Sequence, residues 1–184
     1  RVTFLDVGQG DSAVIELPRG EVMLIDGGAT YERFDMGRSV VAPFLWNRGI
    51  RHIDHVIGTH PQLDHVGGLA WILAHFQVEK FWTNGAERQE ECWRRIERAM
   101  VQRKLEATVA TEGRVISEGP ACRMVVINPQ PRPESSISAK SESLNNLSVV
   151  TELVCREQRV LFTGDIEREA LTRLTHSGNS AHIA

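Results

Sequence analysis

The alternation of apolar and polar positions along the chain predicts a mixed α/β fold. Three short apolar runs near the N-terminus are separated by turns rich in Gly, Pro and charge, which favours an antiparallel opening. Strands and helices then alternate in an order that fits sheets sandwiched between helices. The predicted strands are residues 2–7, 12–17, 22–26, 53–59, 80–83, a strand around Val115, 123–127, 147–155 and 159–162, and the predicted helices are residues 37–48, 69–76, 87–104 and 167–174.

Length and composition predict one compact globular domain over residues 1–184. The chain has 184 residues, of which 41% are hydrophobic and 24% charged, which is enough for one core. Residues 128–146 contain three prolines and five serines without an apolar period, so they predict a long loop. No apolar run of about 18 residues is present, and no signal peptide is recognisable. Because the chain opens directly in a strand without Met, we expect it to be a piece of a longer protein.

Net charge and cysteine content give little information about what the protein binds. The net charge of -3 gives no overall attraction to nucleic acid, so such a partner would be recognised locally. The cysteines, Cys92, Cys122 and Cys155, are far apart and lack CxxC spacing. We therefore expect reduced, mostly buried thiols, with neither a disulfide framework nor a thiolate metal site.

The segment from Thr59 to Gly68 carries the strongest chemical signal. Two imidazoles and a carboxylate, His60, Asp64 and His65, leave the end of one strand within six residues. A loop can direct all three side chains at one point, whereas a strand would send them to opposite faces. Nitrogen and oxygen ligands without thiolate suit Zn²⁺ or Mn²⁺. The alternative is that Asp64 caps the following helix while the histidines lie on the surface.

Two further carboxylates follow strands. Asp165 comes after the apolar run 160–163 and Gly164, and Asp26 enters the glycine turn of Leu24 to Gly28. Asp165 could be the N-cap of the following helix, and Asp-Gly is a common turn dipeptide. Both readings stay open on the residues alone.

Five segments in this order resemble a known family. They are LDVGQGDS (5–12), LIDGG (24–28), THPQLDHVGG (59–68), NNLSVV (145–150) and LFTGDIE (161–167). Together they resemble the metallo-β-lactamase-like C-terminal domain of the ComEC/Rec2 DNA-uptake channel proteins. The resemblance covers nearly the whole chain. It implies an αββα sandwich and a metal-dependent nuclease that degrades the DNA strand not imported during natural transformation.

The resemblance also implies roles for individual residues. His60 would bind the first metal, Asp64 and His65 the second, and Asp165 would bridge two divalent ions, with Mn²⁺ favoured and Zn²⁺ as the other candidate. Asp26 would orient a ligand imidazole. Asn145, Asn146 and Ser148 would lie near the metals, where Asn146 would take part in catalysis, although polar residues at a strand entrance explain them equally well. Gly8 and Gly10 would allow a tight turn that brings Asp11 near the site, where Asp11 has a turn role or a catalytic one.

Two departures from the family pattern concern the first metal. Gln62 stands where the superfamily has His and ComEC-like proteins commonly have Asp, and a neutral amide binds metals poorly. A further HHGS-like motif, expected one strand beyond the GDIE segment, is absent before Ala184. His176 and His182 are poor substitutes, and we read both as exposed linker residues. We therefore expect a C-terminally incomplete fold and a first metal position that is partly occupied or empty.

The predicted reaction is metal-assisted phosphodiester hydrolysis of DNA, and the predicted setting of an uptake channel favours single-stranded DNA as the substrate. Two rivals remain: a hydrolase of small esters, lactams or phosphoesters, and a degenerate DNA-binding domain without catalysis. The predicted location is the extracytoplasmic face of the bacterial cytoplasmic membrane, with the membrane channel domain of the parent chain as partner. Basic residues of the charged helix could contact DNA or simply form a solvated face; they are Arg88, Arg94, Arg95, Arg98, Arg103 and Lys104.

Overall fold

The computed structural model describes residues 1–86, 91–131 and 143–176, and these form two compact units. The first unit comprises residues 1–83 and 88–108, and the second comprises residues 84–87 and 109–184. Mixed α/β content is confirmed. Within the described residues, no helix is long and apolar enough to cross a bilayer.

The first unit is built on a six-stranded sheet with the order β1-β2-β3-β6-β7-β8. The first three strands pair antiparallel, as predicted, whereas β3, β6 and β7 run parallel. All four residues of β3 are buried, as expected of a strand covered on both faces. The strands are β1 (Val2–Phe4), β2 (Ala13–Glu16), β3 (Val22–Ile25), β6 (His52–Ile57), β7 (Gln77–Thr83) and β8 (Ala107–Val109).

Helices bury apolar faces in the core of this unit. Helix α3 contributes Leu69, Ile72 and Leu73, and helix α4 contributes Trp93 and Ile96, all at helical spacing. The predicted helix 37–48 consists of a π-helical turn, Gly37–Val41, followed by α1. The predicted helix 87–104 is described from Glu91 onwards. The helices are α1 (Ala42–Asn47), α2 (Leu63–Val66), α3 (Leu69–His75) and α4 (Glu91–Arg103).

Three small elements of the first unit are absent from the prediction, and one of them is β8 (Ala107–Val109). A two-stranded hairpin, β4 (Thr30–Tyr31) and β5 (Phe34–Asp35), follows the LIDGG segment, and α2 lies within the segment predicted as a loop. Each has too few residues to show a period of two or of 3.6. The hairpin and α2 adjoin the segments that carry the candidate ligands.

The second unit contains a four-stranded antiparallel sheet with the order β12-β11-β10-β9. Its core combines Ile127, Val150 and Leu174, the last from helix α5. Residues 132–142 of the predicted long loop lie outside the described residues, and Asn145–Leu147 form a 3-10 turn. The elements are β9 (Val115–Glu118), β10 (Cys122–Asn128), β11 (Val150–Cys155), β12 (Gln158–Phe162) and α5 (Arg168–His176).

The expectation of three reduced cysteines is wrong for two of them. Cys122 and Cys155 face each other in the antiparallel register of β10 and β11, with Cα atoms 4.1 Å apart, and form a disulfide. The third, Cys92, is buried and is not part of the disulfide. A sequence separation of 33 hides this pairing of Cys122 with Cys155, because only the strand register brings the two together.

Candidate metal centre

The candidate centre begins where two parallel strands end side by side. Ile25 of β3 is in register with Ile57 of β6, and the Asp26 amide donates to the Ile57 carbonyl at 2.9 Å. The residues that follow each strand therefore emerge at the same edge of the sheet. In this way β3 delivers Asp26 and β6 delivers Thr59 and His60.

Asp26 organises the residues around it. Its carboxylate is fully buried and accepts three hydrogen bonds: from the Thr59 amide at 2.8 Å, the Thr59 hydroxyl at 2.7 Å and the His65 imidazole at 2.8 Å. A carboxylate only accepts, so Nδ1 of His65 must carry the proton. His65 therefore has Nε2 as its lone-pair nitrogen, the one that can bind a metal.

Thr59 fixes the tautomer of His60. The Thr59 hydroxyl has one hydrogen, which it donates to Asp26, and its oxygen lies 3.0 Å from Nδ1 of His60. Nδ1 of His60 must therefore be the donor to this oxygen, which again leaves Nε2 as the lone-pair nitrogen. Thr59 is a residue to which the sequence analysis assigned no role. Its signal is a hydroxyl at the end of a strand, directly before the first histidine.

The two imidazoles lie close together in a protected place. Their ring centroids are 4.2 Å apart with an interplanar angle of 51°, and each residue is 1% exposed. Each Nδ1 is bound to an oxygen within the unit, the arrangement that orients histidine ligands of a metal. Imidazole nitrogen with nearby carboxylate oxygen is a donor set that Zn²⁺ and Mn²⁺ accept. These residues fit a divalent cation.

The loop between the histidines is shorter than predicted because part of it is helical. Gln62 precedes α2, and its carbonyl accepts from the amides of His65 and Val66 at 3.1 and 3.0 Å. Asp64, in the first turn of α2, is half-buried. This turn holds His65 on the helix while His60 stays on the strand side.

Gly10 lets the DVGQGDS loop lie against this turn. Its φ is +107°, and a Cβ at this position would lie 1.8 Å from the Asp64 carbonyl oxygen. Only glycine permits that approach. Asp11 is exposed, and its carbonyl accepts from the Gly28 amide at 3.0 Å. Gly10 therefore lies directly against the backbone of Asp64, in addition to its predicted role in the turn. This close approach was not predicted from the sequence.

The second unit positions the remaining candidates. Asp165 is half-buried in the turn between β12 and α5. The buried Asn146 accepts from the amides of Glu167 and Ala170 at 3.0 and 3.4 Å, so it caps the start of α5, and it donates to the Glu169 carboxylate at 3.3 Å. Asn146 thus holds the segment that follows Asp165.

Asn145 and Ser148 flank this cap. The Asn145 amide donates to the Glu167 carboxylate at 3.1 Å, and Ser148 is fully buried. A further buried amide, that of Asn128, donates to the carbonyls of Asn146 and Ser148 at 3.1 and 2.8 Å. Asn128 was missed in the sequence, where only its position at the end of a strand marks it. The proposed action of these amides on a substrate stays a prediction.

The structure therefore brings the predicted residues together within each unit. In the first, one hydrogen-bonded group contains Asp26, Thr59, His60, Gln62 and His65, and Asp64 lies in the α2 turn. In the second, Asn145, Asn146 and the segment after Asp165 form another. Ligation by Asp64 and bridging of two metals by Asp165 remain predictions.

Comparison with known proteins decides the family. Residues 5–108 match the family model described as the metallo-beta-lactamase superfamily, which covers more than half of the chain. The chain belongs to the metallo-β-lactamase superfamily. This confirms the predicted fold class and the assignment to a superfamily of divalent-metal hydrolases.

One curated relative supports the resemblance to the ComEC proteins in particular. ComE operon protein 3 of Bacillus subtilis (strain 168) is 35% identical over 91 residues, which are 43% of this chain and 12% of that protein. The match confirms the resemblance to the ComEC proteins. Because it spans a small part of the Bacillus protein, the activity and partners of that whole protein are not thereby assigned to this chain.

Solved structures support the fold of the superfamily. CmlA, a diiron β-hydroxylase from Streptomyces venezuelae, is 18% identical, with a TM-score of 0.52 over 95% of this chain and 32% of CmlA. A mutant of CmlA gives a TM-score of 0.57 at 17% identity, over 97% of this chain and 33% of CmlA. At such identities the likeness concerns the fold alone.

Proposed function

We propose that this domain is a metal-dependent nuclease that hydrolyses phosphodiester bonds in single-stranded DNA. The observation that carries the proposal is the paired orientation of His60 and His65, whose Nδ1 atoms are both held by oxygens of the Thr59–Asp26 network. Two imidazoles whose tautomers and ring orientations are fixed in this way can serve as ligands for a cation. His60, Asp64, His65 and Asp165 are the proposed ligands.

Each residue of the proposed site has a defined part in this mechanism. Asp26 keeps His65 in one tautomer, and Thr59 passes the same constraint to His60. Bound divalent cations would polarise the phosphodiester and activate water for attack on phosphorus. The carboxylates of Asp64 and Asp165 would offset the cation charge, and the α2 turn fixes the separation between His60 and His65.

Support for DNA as the substrate comes from the ComEC resemblance. Five sequence segments and the 35% identity to ComE operon protein 3 favour a role in DNA uptake, with degradation of the strand that is not imported. DNA would be held largely through its phosphates, and its affinity would fall with salt. Several arginines of α4 are already paired within the protein: Arg94 and Arg98 with Glu91, and Arg95 with Asp35. Arg88 lies outside the described residues.

A degenerate binding domain is the second candidate, and Gln62 favours it. A neutral amide replaces a ligand position, so the first metal would bind weakly and Mn²⁺ occupancy would fall below two ions per chain. The fold itself does not select the substrate, since CmlA shares it and is a diiron hydroxylase.

The disulfide provides information about the cellular compartment of the domain. Disulfides persist in oxidising surroundings and are rare in the reducing cytosol. Cys122–Cys155 therefore supports the proposed extracytoplasmic face of the cytoplasmic membrane, where the domain would be attached to the channel domain of its parent chain.

The test is cleavage of a labelled single-stranded oligonucleotide in Mn²⁺, in Zn²⁺ and in EDTA, beside a chromogenic lactam and an aryl ester. We expect metal-dependent cleavage of DNA alone, reduced at least about 100-fold by Asp64→Asn. Glu118→Gln, an exposed carboxylate of the second unit, is the charge-matched control. Full activity of a folded Asp64→Asn variant contradicts the proposal. DNA binding without cleavage in any metal favours the degenerate domain, and turnover of the lactam or ester favours the small-molecule hydrolase.

A further inference from the structure

The β4–β5 hairpin forms one wall of a pocket within the first unit. The pocket has a volume of about 810 Å³, within the range of ligand-binding sites. We call it the hairpin pocket. Residues that line it include Tyr31, Phe34, Arg38, Leu63, Trp71 and Arg95.

Two aromatic side chains of the hairpin are unusually exposed. Tyr31 and Phe34 are directly opposite each other in the β4–β5 pair, so they lie on the same face of the ribbon. They are 55% and 50% exposed. Adjacent exposed aromatic rings on the wall of a concave pocket are typical of a binding surface.

The hairpin is held in place by polar contacts at its base. The Asp35 carboxylate accepts from the Thr30 hydroxyl at 3.2 Å and from the Arg95 guanidinium at 3.3 Å. Arg95 also donates to the Thr30 hydroxyl at 3.1 Å, which ties the hairpin to α4. The aromatic pair is therefore presented on a braced support, which lowers the entropy lost on binding.

The charges of the lining select the kind of ligand. Three carboxylates balance three guanidinium groups; they are Glu32, Asp35 and Glu91, and Arg33, Arg38 and Arg95. This balance disfavours a multiply charged anion. It favours a neutral, planar group that stacks on aromatic and guanidinium faces, and nucleobases have this chemistry.

The pocket adjoins the proposed catalytic loop. Leu63, which lines the pocket, lies in the α2 turn between His60 and His65 and is partly exposed. A group bound in the pocket is therefore beside the loop that would engage the phosphodiester. The pocket and the loop belong to the same compact unit.

We propose that the hairpin pocket binds a nucleobase of single-stranded DNA by stacking on Tyr31 and Phe34, next to the phosphodiester presented to the His60–His65 loop. This inference rests on the proposed nuclease function and adds to it a contact with the base. Because stacking accepts every base, the domain would distinguish strands with bases from strands without them, and single strands from duplexes, with little sequence preference.

The test compares the binding of a fluorescent oligothymidylate with that of an abasic strand of the same length, measured by anisotropy in EDTA. Both strands carry the same phosphates, so a difference reports the bases. We expect the wild-type domain to bind the oligothymidylate at least about tenfold more tightly. Tyr31→Ala/Phe34→Ala should abolish most of this preference, whereas Tyr31→Phe/Phe34→Tyr should retain it.

Phe4→Ala is the matched control, since Phe4 is an exposed aromatic of β1 that does not line the pocket. A double alanine variant that is folded and keeps the preference overturns the inference, as does equal binding of both strands by the wild type. Cleavage in Mn²⁺ is measured separately. If cleavage is absent but the preference depends on Tyr31 and Phe34, the nuclease proposal fails and the base pocket stands. If DNA is cleaved without any base preference, the pocket fails and the nuclease stands.

Discussion

Asp26 has a backbone conformation that few residues other than glycine adopt. Its φ is +54°, in the left-handed region that Asp tolerates better than most residues. The turn brings its carboxylate to both Thr59 and His65, so one residue sets the tautomers of two imidazoles. The sequence supported a role in orienting an imidazole but could not reveal the relay through Thr59 to His60.

Asp26→Asn tests this relay. The Thr59 and His65 groups donate to both carboxylate oxygens of Asp26. In the variant, the side-chain NH₂ group replaces one of these oxygens and faces a donor, so the imidazoles lose their fixed orientation. We expect Mn²⁺ affinity to fall about 10- to 100-fold, measured by isothermal titration calorimetry. Asp54→Asn is the control, because Asp54 also accepts a backbone amide, that of Val22, on the same sheet. Wild-type affinity in Asp26→Asn would rule out the relay.

His55 predicts a pH dependence of stability that is separate from metal binding. It is buried on β6, where Nδ1 accepts from the Trp82 indole at 3.0 Å and Nε2 lies 3.1 Å from Glu21. Burial lowers the pKa of His55 below its ordinary value of 6.5, against the opposing effect of Glu21. The unfolded chain therefore takes up a proton at higher pH than the folded protein does. The stability from neutral His55 is present above pH 6.5 and is lost as the pH falls below that value.

His55→Asn should remove this part of the pH dependence while keeping an acceptor for Trp82. We expect the free energy of unfolding of the wild type to fall more steeply between neutral pH and pH 5 than that of the variant, measured by urea denaturation. The two proteins share all carboxylates, so their general acid sensitivity cancels in the comparison. Parallel pH profiles would show that His55 does not titrate as its burial implies.

At the scale of elements, periodic segments were predictable and short ones were not. The antiparallel opening, β6 and helices α3, α4 and α5 follow apolar patterns that the burial of their residues confirms. The hairpin β4–β5, helix α2 and strand β8 were not predicted, because elements of two to four residues show no apolar period. The pairing of Cys122 with Cys155 also depends on a strand register that composition cannot supply.

Gly10→Ala tests the contact between the DVGQGDS loop and α2. The new Cβ would clash with the Asp64 carbonyl, and the positive φ adds backbone strain. Gly20→Ala is the matched control, because its φ is +87° with no atom within 4 Å of the new Cβ. We expect the control to lose about 1–2 kcal/mol of unfolding free energy. Gly10→Ala should lose at least about 1–3 kcal/mol more, as in overpacked sites. Equal losses in the two variants would mean that the loop contact is unimportant.

At the scale of the whole molecule, the disulfide is the feature that most changes the expectation from sequence. Protein purified without reductant and then denatured should show one reactive thiol, that of Cys92, and three after reduction. A thiol titration with Ellman's reagent provides this count. Three reactive thiols before reduction would show that all three cysteines are reduced, as the sequence analysis expected. The support for an oxidising compartment would then be lost.

His65→Asn tests whether His60 and His65 hold the proposed catalytic cation. An asparagine amide can replace Nδ1–H as donor to Asp26 but supplies no counterpart of Nε2. Equilibrium dialysis against Mn²⁺ should show metal bound to the wild type and to the control His75→Asn, an exposed histidine of α3, and little or none bound to a folded His65→Asn variant. Wild-type metal binding by folded His65→Asn would show that His65 is not a ligand of the cation.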